Sequence, residues 1–107
     1  MIIGFTGTRR GITAAQKAEV QRLLEEYQPV QVHHGESVGA DAEFHEMADR
    51  KTVRPNIVIH PPKNTPLRAF CRHGPRDTVL PVSSYLVRNR AIVDACHVLI
   101  ACPAEME

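Results

Sequence analysis

Thr8, Arg9 and Arg10 stand between glycines in the opening stretch Met1-Ile-Ile-Gly4-Phe-Thr-Gly7-Thr-Arg-Arg-Gly11. A hydroxyl, two guanidiniums and a glycine-bracketed backbone form a set that can hold an anion through amide N–H groups and charge-assisted donors. A second set, His34-Gly35-Glu-Ser37-Val-Gly39-Ala-Asp41, again interleaves glycine with polar side chains. A third is Arg88-Asn89-Arg90, two cations and an amide suited to clamping phosphate. Neighbours on a helix point about 100° apart, so only one of these arginines can face a given site. Each set also has a plain structural alternative. The first loop can be an ordinary strand-to-helix turn with solvated arginines, Asp41 can simply favour a helix N-terminus, and the arginine triplet can be a solvated helix face.

Several chemistries are excluded. The glycines do not match G-x-G-x-x-G, and the second strand ends in His33-His34-Gly35 where a dinucleotide site needs an acidic residue for the ribose. No G-x-x-x-x-G-K-[ST] loop and no Gly-x-Ser-x-Gly elbow occur, and no cysteine has an evident base partner. Among the six histidines, His33 and His34 are adjacent and would point to opposite faces of a strand. Cys71-x-His73 has no second pair at ligand spacing. Hydrogen-bonded or surface histidines, no metal and no cofactor are the expectation, with His34 kept as a ligand contact beside Gly35.

These sets need elements to hold them. Ile2-Ile3-Gly4-Phe5 is an apolar run of buried-strand type. Thr13 with Gln16 predicts a capping box opening a helix, whose apolar face is Val20, Leu23, Leu24 and Tyr27 and which Pro29 ends. Val30–His33 reads as a second strand. Ala40, Phe44, Met47 and Ala48 make the stripe of a second helix, and Asn56–His60 a third strand stopped by Pro61-Pro62. Residues 61–82 hold five of the eight prolines. A helical turn near Leu67–Cys71 and a short strand or extended segment at Asp77–Leu80 are expected there, in a connection that is either functional or a packed excursion. A serine-capped helix to about Ala95 and a fourth strand, His97–Ala101, complete the order. Such alternation implies an α/β fold with a mainly parallel sheet. Ligands then sit beyond the strand C-terminal ends, where both glycine loops fall.

The chain has 107 residues, 43% apolar and 23% charged, which suits a single folded domain. A net charge of +1 rules out a generally basic surface, so nucleic-acid binding would need a local patch. No apolar run approaches the roughly 20 residues of a membrane span, so no membrane partner is expected. Cys71, Cys96 and Cys102 are odd in number and lack CxxC spacing, which fits reduced thiols in a cytoplasmic compartment.

Taken together, Gly4-Phe-Thr-Gly-Thr-Arg-Arg-Gly11, His34-Gly35 through Gly39-Ala-Asp41, and Arg88-Asn-Arg90 with Val98-Leu-Ile-Ala-Cys-Pro103 resemble the SLOG superfamily. That group is Rossmann-like and includes the cytokinin-activating LOG proteins and the DNA-processing protein DprA. The similarity is nearest to its small YspA/YpsA-related branch and covers essentially the whole chain. It implies a three-layer fold and a nucleotide or nucleotide-derived ligand, sensed or sequestered at the sheet's C-terminal edge. The matching positions are Gly7, Thr8, Arg9, Gly35, Gly39, Asp41, Arg88 and Asn89, to which the residue chemistry adds Arg10, His34 and Ser37. LOG-type phosphoribohydrolases carry a Pro-Gly-Gly-x-Gly-Thr loop with a glutamate. Here Ala101-Cys-Pro-Ala-Glu-Met-Glu107 stands instead, so N-glycosidase action on nucleoside monophosphates is the alternative rather than the first reading. DprA-like single-stranded DNA binding comes third, because the charge is not basic. The resemblance also implies further elements after the fourth strand. The expectation is therefore either a truncated chain or a partner subunit, such as a homo-oligomer, covering an open sheet.

Overall fold

The computed structural model describes residues 1–103. Residues 104–107, where a further ligand loop was expected to begin, lie outside the described residues. The elements run β1 (Ile2–Gly7), α1 (Ala14–Tyr27), β2 (Gln31–His34), α2 (Ala40–Asp49), β3 (Asn56–Ile59), β4 (Thr78–Val79), α3 (Tyr85–Ala95) and β5 (Val98–Cys102). The fold is α/β, a five-stranded sheet in the order β4-β3-β2-β1-β5 with every pairing parallel. No helix among the described residues is long and apolar enough to cross a membrane.

Local chemistry sets most of the boundaries. The Thr13 hydroxyl accepts from the Gln16 amide, and the Gln16 side chain accepts from the Thr13 amide, closing the capping box that opens α1. Val20 and Leu24 are buried on its inner face, while Tyr27 is exposed. All four residues of the α2 stripe, Ala40, Phe44, Met47 and Ala48, are buried. Ser84 precedes α3, but its side chain makes no capping bond. β2 is shifted one residue from expectation, because Gln31 to His34 are the residues in register with Asn56 to Ile59 of β3.

The short strand or extended segment expected at Asp77–Leu80 is a strand, which gives the sheet five. Thr78 and Val79 pair with Val58 and Ile59 to form an edge strand. The connection leading to it carries a 3-10 turn at Thr65–Leu67, slightly earlier than the expected helical turn. Asp77 secures this connection. Its buried carboxylate accepts from both terminal nitrogens of Arg54, at 2.8 and 2.6 Å, and from the amides of Ile57 and Gly74.

The core is one-sided. Ile3 and Phe5 of β1, Val32, Ile57, Ile59 and Ile100 cluster with Val20 and Leu24 of α1 and with Phe44 and Met47 of α2. The Phe5 and Phe44 rings stack at 4.3 Å. On the opposite face, a Cβ at Gly4 would meet Ile92 and Cys96, so α3 lies close against β1 there. That face is thinner. Only Arg88 and Ile92 of α3 are buried, and Leu86, Val87 and Val93 are exposed.

Candidate functional site

Beyond the C-terminal ends of β1 and β2 the two glycine loops meet, and their contact is backbone on backbone. The Ala40 amide donates to the Thr8 carbonyl at 3.0 Å. Gly39 has φ of +93°, and a Cβ there would lie 2.5 Å from the Arg9 carbonyl carbon. A side chain is excluded on both counts. Gly7 faces Ala40 in the same way, its would-be Cβ 2.5 Å from the Ala40 methyl. Close approach of the backbone to a ligand was the expected reason for these glycines. The observed reason is interlocking of the two loops and the start of α2.

This interlock consumes most of the amides in the first loop. Thr8 N–H donates to the Cys102 carbonyl, Gly11 N–H to the Thr8 carbonyl and Arg10 N–H to the Thr8 hydroxyl. In the segment 8–11 only the Arg9 amide has no such protein partner. A phosphate held here would depend on that amide and on side chains rather than on a full amide cradle.

A cavity of about 450 Å³ lies against this junction. Gly7, Thr8, Arg9, Gly35, Ser37, Asp41, Arg88 and Asn89 all line it, so eight of the eleven candidate positions come together. Three do not. Arg10 lines a smaller recess beside Thr13 and Gln16. Gly39 is packed against Arg9. His34 is fully buried behind the loop, with its Nδ1 accepting from the Glu36 amide and its Nε2 bonded to His45. The cavity also gains Phe5, Pro62, Lys63, Asn64, Leu67 and Tyr85. The last five come from the proline-rich connection and the start of α3, and no motif in the sequence marked them.

Arg88 and Arg90 separate as helical spacing requires. Arg88 is buried and Arg90 is exposed. Arg88 Nη1 donates to the Gly35 carbonyl at 2.9 Å and to the Ser37 hydroxyl at 3.0 Å, with longer bonds from Nε and Nη2 to Asn89. It therefore braces the second loop from inside. Gly35 makes room for it, since a Cβ at that position would sit 2.8 Å from the guanidinium carbon. Burial draws the guanidinium down from its ordinary value, while Asp41 and Tyr85 pull it back up.

Asp41 is the side chain left with open valence. Its Oδ2 accepts from the Ser37 amide at 3.1 Å. Its Oδ1 is buried with no hydrogen-bond partner, alone in this among the described residues. Burial pushes its carboxyl up to about 6, against the opposing effects of the Ser37 amide, Arg88 and the Gly35 amide. Buried acceptors are almost always satisfied, and an exception calls for an explanation. Glu36, the other carboxylate of this loop, has no such freedom. Its Oε1 accepts from Arg68 at 2.6 Å and its Oε2 from the Cys71 amide at 3.0 Å, tying the proline-rich connection to the loop.

Four of the six histidines form two buried pairs, one on each side of the sheet. His33 Nδ1 lies 2.7 Å from His60 Nε2, and burial lowers both, His60 to about 4. His34 Nε2 lies 2.8 Å from His45 Nδ1, and His45 Nε2 bonds the Arg72 carbonyl. Cys71 lies beside the second pair. Spacing did not signal this group, because its members come from β2, α2 and the proline-rich connection.

A second cleft of about 360 Å³ runs between α1 and α2. Lys17, Glu25, Glu43, Glu46, Arg50 and Lys51 line it in mixed sign; Lys51 pairs with Glu25, Arg50 with Glu46, and Glu43 accepts from the Ile12 amide. It brings together none of the candidate residues. No family model, curated protein or solved structure matches the chain.

Proposed function

We propose that this protein binds a nucleotide or nucleotide-derived ligand in the cavity at the C-terminal edge of its sheet, as a sensing or sequestering module. The observation that carries the reading is the unpartnered, buried Oδ1 of Asp41, a residue that lines the cavity together with Arg9 and Lys63. A buried acceptor asks for a donor from the ligand, such as a sugar hydroxyl or a ring amine. Cations on the rim suit a phosphate. The exposed Tyr85 ring and the half-buried Leu67 add the aromatic and apolar surface that a base would stack against. The SLOG resemblance points the same way. Thermal-shift measurements with AMP, CMP, GMP and UMP, followed by calorimetry, test it. Stabilisation by one of these that is lost in Asp41→Ala supports the reading. Calorimetry showing no saturable binding to any of them would overturn it.

A nucleoside-monophosphate phosphoribohydrolase is the second reading, and a single observation favours it. A carboxyl with a pKa near 6 inside the cavity is suited to proton transfer at neutral pH. Release of free base on incubation with a nucleoside monophosphate, abolished in Asp41→Asn, would replace the binding module by the enzyme.

A further inference from the structure

We propose that His34 Nε2, His45 Nδ1 and Cys71 Sγ form a binding site for a divalent transition metal of borderline softness, zinc above all, behind the nucleotide cavity. The three donor atoms lie within 4.8 Å of one another. Two imidazoles and a thiolate are a zinc-type donor set. Tetrahedral zinc would hold the two nitrogens about 3.3 Å apart and each about 3.6 Å from the sulfur. The nitrogens stand at 2.8 Å and face each other along a hydrogen bond, so metal entry asks them to part by about half an ångström, both rings to turn by roughly 35° toward a common point, and the sulfur to close in from within 4.8 Å.

Three surrounding features fit a cation. The far nitrogen of His45 is bonded to the Arg72 carbonyl, the outer contact that orients a metal-bound imidazole. Burial, and then the field of the buried carboxylates Glu36 and Asp41, push the Cys71 thiol up to about 12, although Arg68, paired with Glu36, opposes them. The same field favours a cation and would offset its charge. A groove of about 480 Å³ lined by Cys71 and His45 offers an entry path. It carries Glu43, Glu46 and Asp49 against Arg50 and Arg72, one net negative charge.

The metal-free arrangement is a closed hydrogen-bond chain. Glu36 N–H donates to His34 Nδ1, His34 Nε2–H to His45 Nδ1, and His45 Nε2–H to the Arg72 carbonyl. Metal binding must open it. The Cys71 thiol gives its proton to the buffer, and the His34 proton leaves Nε2 and is regained at Nδ1. The Glu36 amide then turns away from a nitrogen that now carries hydrogen. One proton is released per metal, and no electron transfer is involved.

Cobalt and zinc titrations of the full chain test this. The expected result is one cobalt per chain, a sulfur-to-cobalt charge-transfer band, displacement by zinc, and release of one proton per metal. Cys71→Ser should remove the band and weaken binding at least tenfold, whereas Cys96→Ser should leave both unchanged. Circular dichroism checks that each variant is folded. The wild-type spectrum is decisive even where Cys71→Ser does not fold. No stoichiometric cobalt, a cobalt spectrum without the sulfur band, or a band that survives in folded Cys71→Ser would overturn the proposal. Loss of nucleotide binding leaves these readouts untouched, so the two proposals fail separately.

Discussion

Gly39 lies so close to Arg9 that a β-carbon on it would sit 2.5 Å from the Arg9 carbonyl carbon, at a φ of +93°. The two glycine loops are locked together at this point. Gly39→Ala should therefore lose about 2–4 kcal/mol of stability, since backbone strain and a clash with backbone add. Urea unfolding checks it. Gly7→Val should destabilise as well, by its contact with Ala40.

Arg88 and Arg90 should behave differently. Arg88→Ala leaves the Gly35 carbonyl and the Ser37 hydroxyl without their guanidinium donor. A loss of about 1.5–3 kcal/mol of stability is expected. Arg90 is exposed, so Arg90→Ala should stay within about 0.5 kcal/mol of wild type. Equal losses in denaturant would contradict the bracing role of Arg88.

Asp41 should make stability depend on pH in a known direction. Its native pKa is raised from 3.8 to about 6, so the native state holds the proton longer than the unfolded chain. Its contribution is most favourable below the unfolded pKa and declines as pH rises to about 6. Above that the native state carries a constant penalty, up to about 3 kcal/mol. Asp41→Asn abolishes the titration. Relative to wild type, this variant should gain stability between pH 4 and pH 8, as read from unfolding midpoints.

Asp77 has the opposite sign. Burial raises its carboxyl, but Arg54 and the Gly74 and Ile57 amides outweigh that and hold it below its ordinary 3.8. Its contribution is present above the unfolded pKa and is lost as pH falls below about 4. Asp77→Ala should cost about 2–4 kcal/mol, because it leaves two amides unpaired, reduces Arg54 to its bonds with Asp49 and the Pro55 carbonyl, and releases the approach to β4. Faster hydrogen exchange at Thr78 and Val79 would show that release.

Elements defined by local interactions could be read directly from the order of residues. The Thr13–Gln16 box, the Ala40, Phe44, Met47 and Ala48 stripe and the apolar runs of β1 and β3 act within a few residues. They specified the order of the main strands and helices and implied a parallel sheet. Periodicity also foretold that Arg88 and Arg90 would diverge, though not which would turn inward. Relations spanning many residues needed the tertiary structure. The sequence alone allows a short strand or an extended segment at Asp77–Leu80, and pairing of Thr78 and Val79 with β3 is what makes it a strand. Gly7 and Gly39 are required by each other's loops, 32 positions apart. His34, His45 and Cys71 meet only because β2, α2 and the proline-rich connection fold onto one another. Asp41 reads both as a ligand contact and as an ordinary helix-start residue, and burial without a partner for Oδ1 is what the packed structure adds. Burial and unmet valence belong to the packed molecule, because they depend on which distant groups arrive beside a side chain and which do not.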